Sequence, residues 1–331
     1  MMAFVRLIGR CGLATTTTLI LAFCCTVPAT ASTVATHTVP PDFVLANGSG
    51  SDIQLESAST GALVKDLGAV QGYTNNGLAL SPDGQDVYVT ANKPGSLVIE
   101  RIRVANDQET FVADGEQPAI SPSGTFLAYG TGSEGSEELV VRDLMSGTVR
   151  TVSLQKLLGG QTDLLNATIT WLRNSSTIVV LPGEVANDLM GEPIPPPVPG
   201  SCSAVSISQT CLIVVHAGTG DKFTAKRVIL RGLERADIVA GASGSRDLVM
   251  AAFGARHTVL YRADVTEGAG SVIRLFSLPP DLPVAFDAQG SQLLYLIGHG
   301  PVALWLAQVT SHGLKNARML NANVAEAGVA W

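Results

Sequence analysis

The chain has 331 residues, of which 46% are hydrophobic and 15% charged, with 28 acidic residues against 21 basic ones. The resulting net charge of −7 argues against nucleic acid or an anionic membrane surface as partner. The N-terminal apolar stretch falls short of the ~20 residues that span a bilayer, and no later segment qualifies.

Residues 1–31 read as a signal peptide. Arg6 and Arg10 form a positive start, Leu13 to Val27 an apolar stretch, and Ala29-Thr30-Ala31 a small-residue cleavage site. Cleavage there leaves 19 basic against 28 acidic residues, a net of −9, and removes Cys11, Cys24 and Cys25. The protein is therefore expected outside the cytoplasm: secreted, periplasmic or associated with the cell envelope. The two remaining cysteines, Cys202 and Cys211, are expected to pair as a disulfide that closes a loop.

After a short linker, residues 32–42, the chain enters a repeat of short strands that continues to Trp331. Phe43-Val44-Leu45-Ala46 opens with a second-strand pattern that has no first strand before it. The clearest unit then follows: Leu80-Ser81-Pro82-Asp83-Gly84 leading into Asp86-Val87-Tyr88-Val89-Thr90. It returns as Ile120-Ser121-Pro122-Ser123-Gly124 before Thr125-Phe126-Leu127-Ala128-Tyr129. Proline presets φ at the second turn position, Asp or Ser accepts local backbone bonds, and Gly takes the left-handed position that returns the chain into an antiparallel partner. Weaker copies start at Leu172, Ala242 and Asp287, so successive starts, counted from Ser81 and Ser121, lie 40, 51, 70 and 45 residues apart. Such a period signals a repeat architecture. No convincing helical periodicity interrupts it.

Five complete units are predicted at about 77–112, 118–155, 167–231, 237–278 and 283–320. A sixth joins residues 326–331, ending in Val329-Ala330-Trp331, to residues 43–68. The fold class is therefore all-β: a six-bladed β-propeller over residues 43–331, closed by pairing of the C-terminal strand with the N-terminal blade. A Pro- and Cys-containing insertion, at about 182–211, carries Pro193, Pro195, Pro196, Pro197 and Pro199. It reads as an exposed, stiffened loop.

The Ser-Pro-Asp-Gly and Ser-Pro-Ser-Gly turns, each followed by an aliphatic-aromatic strand, resemble the repeats of the TolB-like, WD-repeat-related propellers. Asp86-Val87-Tyr88-Val89-Thr90-Ala91-Asn92 is similar to the surface-layer YVTN repeat. The resemblance spans the chain after residue 42 but is strong in only two units. It implies a module that binds proteins or scaffolds an envelope assembly without chemistry of its own. TolB itself has an additional N-terminal domain, so its envelope-transport role does not carry over.

Motifs for catalysis are weak. Gly130-Thr131-Gly132-Ser133-Glu134-Gly135 matches a dinucleotide fingerprint in letters, but a strand pattern follows where a helix is required. No nucleophile elbow, zinc-protease helix or paired-cysteine motif occurs after residue 31. Trp171, Trp305 and Trp331 sit on predicted strands and read as packing residues. No catalytic, cofactor-binding or metal residue is assigned, and a monomer with a protein partner is expected.

The alternative is a metal-assisted small-molecule hydrolase or lactonase acting at the channel mouth. Aligning the units places Asn75, Asn76, Glu116, Asn166, Asp237, Asp281 and Glu326 at the entrances of the innermost strands, oxygen donors of the kind Ca²⁺ takes. Their two registers, one residue apart, break the ring. The loops joining second to third strands hold Arg256, His257, His299 and the proline insertion. These are predicted to share one face, where a partner would dock.

Overall fold

The computed structural model describes residues 42–47, 52–132, 137–159, 164, 167–182, 202, 209–217, 222–233, 236–244, 246–253, 257–266, 270–278, 282–287, 290–297, 302–311, 313–324 and 328–331, a few strand positions by backbone alone. In chain order the strands are β1 (Asp42–Asn47), β2 (Asp52–Ser57) and β3 (Leu63–Ala69), then β4 (Tyr73–Leu80), β5 (Asp86–Lys93), β6 (Ser96–Arg103) and β7 (Gln108–Asp114). The third group is β8 (Glu116–Ile120), β9 (Phe126–Thr131), β10 (Glu138–Asp143) and β11 (Val149–Val152), followed by a one-turn helix α1 (Leu154–Leu158). Next come β12 (Thr168–Trp171), β13 (Thr177–Leu181), β14 (Gln209–Ala217) and β15 (Phe223–Arg231), then β16 (Ala236–Ser243), β17 (Asp247–Phe253), β18 (Thr258–Asp264) and β19 (Val272–Leu278). The chain finishes with β20 (Leu282–Phe286), β21 (Gln292–Ile297), β22 (Val302–Thr310), β23 (Gly313–Val324) and β24 (Gly328–Ala330).

These strands form six antiparallel four-stranded blades. Blades B to F are β4–β7, β8–β11, β12–β15, β16–β19 and β20–β23; blade A is β24-β1-β2-β3. The closure strand pairs Val44 with Ala330, Leu45 with Val329 and Ala46 with Gly328. The innermost strands touch in sequence around the ring, from β4 through β8, β12, β16 and β20 to β24 and back to β4. The fold is the six-bladed propeller expected from the repeat.

The core is divided among the seams. Six apolar clusters each lie between two neighbouring blades. In blade B, Val87 and Val89 face blade A while Tyr88 faces blade C. A middle strand buried on both faces must be apolar along its whole length, which accounts for runs such as Ile178-Val179-Val180 and Leu212-Ile213-Val214-Val215. Outermost strands are mostly exposed, and five of them show a large apolar side chain to solvent: Leu63 and Val64, Phe111, Val149, Ile273 and Met319.

The turn motif behaves as its composition requires. Ser81 and Ser121 each close the turn with backbone bonds to the residue five positions on, and their hydroxyls accept from Asp86 and Phe126 N–H. Asp287 does the same in blade F, accepting from Ser291 N–H at 2.6 Å and Gln292 N–H at 3.0 Å. In blade D the turn starts at Leu172 and puts Ser175 where the others have Gly, at φ 53°. Blade E departs from the pattern. There Gly244 N–H bonds Asp247 O, closing the turn after three residues instead of five.

Cations stitch adjacent blades to each other. Lys65 Nζ reaches Val104 O and lies 2.8 Å from Asp107, joining A to B. Arg142 donates to Val112 O at 2.7 Å, Arg227 to Leu158 O at 3.0 Å, Lys226 to Thr266 O, and Arg318 to Ala58 O. Between C and D a ladder of rings adds to this: Arg150 lies over both Phe126 and Phe223, Phe126 stacks on Trp171, and Trp171 Nε1 donates to Ala119 O at 3.0 Å.

Candidate binding face

Strand direction sorts the loops onto two faces. Inner strands run parallel, as the Ala240–Ala285 pair shows, and each blade is an antiparallel meander. Inner-strand entrances and connections between second and third strands therefore share an upper face. The Ser-Pro-Asp-Gly-type turns and the turns between third and fourth strands occupy the lower face.

The upper face is elaborated over blades C and D. Cys202 and Cys211 are bonded, with Cα atoms 5.4 Å apart, so Cys202 is fixed to the third residue of strand β14. Cys211 is buried and Cys202 packs against the C–D cluster. The connection from C to D carries α1, which the sequence reading missed because one turn is too short to show periodicity. Its signals are end residues only: Ser153 caps it, and Gly159, at φ 68°, ends it with an N–H bond to Gln155 O. Beyond it Leu164, 1% exposed, packs into the C–D cluster, its backbone lying above Gly130.

At the channel entrance of blade C the backbone is strained. Gln117 has φ 58°, and it precedes Pro118, a position that ordinarily holds the chain extended. Its N–H donates to Thr90 Oγ1 of blade B at 3.3 Å. Thr90 gets there because Gly77 has no side chain: a Cβ at Gly77 would lie 2.0 Å from Thr90 Oγ1 and 2.7 Å from Pro118 Cδ. Glu116, next to Gln117, is 6% exposed, and Glu137 on the same face is 8% exposed. Between blades A and B, Tyr73 Oη packs over Gly328, and burial pushes its pKa up to about 12.

Of the seven predicted mouth residues, Glu116 is the one with a described side chain, and it is buried. Asn166, Asp281, Glu326 and the side chains of Asn75, Asn76 and Asp237 lie outside the described residues, as do Arg256, His299 and Pro193 to Pro199. His257 is described and exposed, immediately before β18 on the upper face. Among the described residues no three His, Cys, Asp or Glu side chains gather as a metal site would need. Trp171 and Trp305 pack in seams as expected, and Trp331 packs against the F–A cluster.

Sequence reasoning did not find the strain at Gln117 or the Thr90–Gly77 arrangement. A Gly at position 77 facing a Pro at 118 in the next repeat was the available signal, but it has meaning only once the blades are in register.

No family model matches the chain, and no curated relative matches it. Among solved structures it is similar to TolB from Acinetobacter baumannii, with a TM-score of 0.58 at 13% identity over 88% of this chain. It spans 66% of that TolB chain, just under two thirds. It is also similar to a chain of a nidogen/laminin complex, with a TM-score of 0.55 at 11% identity, covering 88% of this chain and 98% of that one. A hydrazine synthase chain from Kuenenia stuttgartiensis gives 0.50 at 15% identity, with 80% and 73% covered. These likenesses are of fold.

Proposed function

We propose that this chain is an exported, non-catalytic β-propeller that binds a protein partner of the cell envelope through its upper face. The observation that carries the reading is the concentration of non-repeat structure over blades C and D. The helical connection, the disulfide tether at Cys202 and the strained Gln117 are three departures from the repeat that share one face. Loops on a rigid scaffold are where proteins place recognition. The expected signal peptide at residues 1–31 and the Cys202–Cys211 bond would fit an oxidising compartment. The fold likeness to TolB, and to a chain in a nidogen/laminin complex, supports protein binding as the use of such a ring.

Photo-crosslinking in the native envelope fraction tests this. A photoreactive residue replaces either Leu157 on α1 or His257, both exposed on the upper face, or Met145 in the β10–β11 turn of the lower face, which is 89% exposed. A discrete adduct from the upper positions and none from Met145 is expected. Equal capture at Met145, or no adduct at either upper position, would contradict the proposal.

A further inference from the structure

The seam between blades F and A holds a carboxyl group that its surroundings do not satisfy. Glu56 lies on β2 between Phe43 of β1 and Leu63 of β3, and it is 3% exposed. Oε1 accepts a long hydrogen bond, 3.3 Å, from Asn321 Nδ2 on β23 of blade F. Oε2 is fully buried and has no hydrogen-bond partner. The contrast is Asp287, 2% exposed, whose carboxylate receives two backbone N–H groups and the Ser291 hydroxyl. A buried carboxylate with one weak donor is costly where a neutral acid is tolerable.

The seam around Glu56 is apolar and closely packed. Phe43, Leu45 and Ala58 from blade A meet Leu304, Leu306 and Leu320 from blade F. A Cβ at Gly61, in the β2–β3 turn, would lie 2.6 Å from Leu320 O, so the turn rests directly on β23. Among the described residues on the neighbouring strands, no cation pairs with Glu56. On β23, Arg318 bonds Ala58 O, and Lys315 is paired in register with Gln308 near the far end. On β3, Lys65 is committed to Val104 O and Asp107, and Asp66 accepts from Gly68 N–H. β1 contributes only Asp42, paired in register with Ser57, and β22 has no charged residue.

We infer that Glu56 is a protonation-dependent latch on the closure blade: as the neutral acid it holds β23 against the β2–β3 turn, and its ionisation loosens that seam. Burial raises its pKa above the ordinary 4.5, outweighing the Asn321 bond that acts the other way. The sign follows. A raised folded-state value means that the stability is fully present below 4.5 and is lost as pH rises through the folded value. Asp42 is raised by burial as well, so the two carboxyls must be told apart by substitution.

Hydrogen exchange of the full chain between pH 4.5 and 8, read as protection factors for β23 and the β2–β3 turn, makes the test. In the wild type, protection falls about tenfold per pH unit until the folded value is passed, then levels. Glu56→Gln abolishes the fall. Asn321→Ala removes the donor that favours the carboxylate, so the fall continues to higher pH. A fall that persists in Glu56→Gln assigns it to Asp42 and overturns the proposal, as does a flat wild-type profile. Should Glu56→Gln fail to fold, the Asn321→Ala profile decides, and an unmoved end-point overturns the latch.

Discussion

Ser175 shows how a single residue departs from the repeat and gains a contact by doing so. At φ 53° it occupies a left-handed position that Gly84, Gly124 and Gly290 fill in the other turns. An L side chain there costs about 1–2 kcal/mol. Its hydroxyl, however, accepts the Ser123 N–H of blade C at 3.1 Å, tying two lower-face turns together. Ser175→Ala keeps the strain and loses the bond, so urea unfolding should show a loss of about 1 kcal/mol. Ser175→Gly loses the same bond and relieves the strain, so it should stay near wild type. If both variants lose equally, the strain is not there. The turn residues themselves were legible because a four-residue turn is a local object: Pro, Ser, Asp and Gly act on their own backbone. Glu56 was not. Its surroundings are set by Asn321, 265 positions away, and nothing near Glu56 in the chain distinguishes it from an exposed strand residue.

At the scale of the element, the disulfide and the seam cations make separable predictions. The Cys202–Cys211 bond closes a loop of nine residues of separation. Loop-closure entropy for a loop of roughly ten residues gives about 2–3 kcal/mol. Cys202→Ser with Cys211→Ser should therefore lower the melting temperature, and reductant should lower the wild type to match. Intact mass before and after reduction and alkylation reports the bond itself, and two free thiols in the untreated protein would remove it. Across the B–C seam the Arg142 guanidinium donates to Val112 O. Arg142→Met keeps the stem's packing and should cost about 1 kcal/mol in equilibrium unfolding; a neutral result would mean that water replaces the guanidinium freely. Blade limits were readable to within a few residues, because strand and turn compositions alternate. The blade E turn was not: Ala242-Ser243-Gly244-Ser245 has suitable letters, but the chain closes between Gly244 and Asp247. Nor were the seam cations, because which Lys or Arg meets a neighbouring carbonyl depends on register between repeats.

For the whole molecule, stability is distributed over six apolar seams, and each blade is held from both sides. Blade A differs from the rest in its covalent construction, since its inner strand comes from residues 328–330 and its others from residues 42–69. Closure removes an unpaired edge on β1, which sheets otherwise leave open to association. It also places Ala330, 7% exposed, in the A–B cluster and Val329 against the F–A cluster, so the last strand contributes to two seams at once. Circularity was foreseeable because an unpaired second-strand pattern at one end and an unfollowed first-strand pattern at the other are complementary. The channel mouth was less so: the residue types at strand entrances were readable, but burial of Glu116 beside the strained Gln117 depends on how blades B and C meet. The claim that the ring is closed by its two ends is tested most directly by thermal unfolding of the chain with residues 326–331 deleted, beside the full-length protein. The account predicts a melting temperature lower by many degrees, with loss of protection spreading from blade A to both neighbours. A truncated protein that melts at the full-length temperature would contradict it.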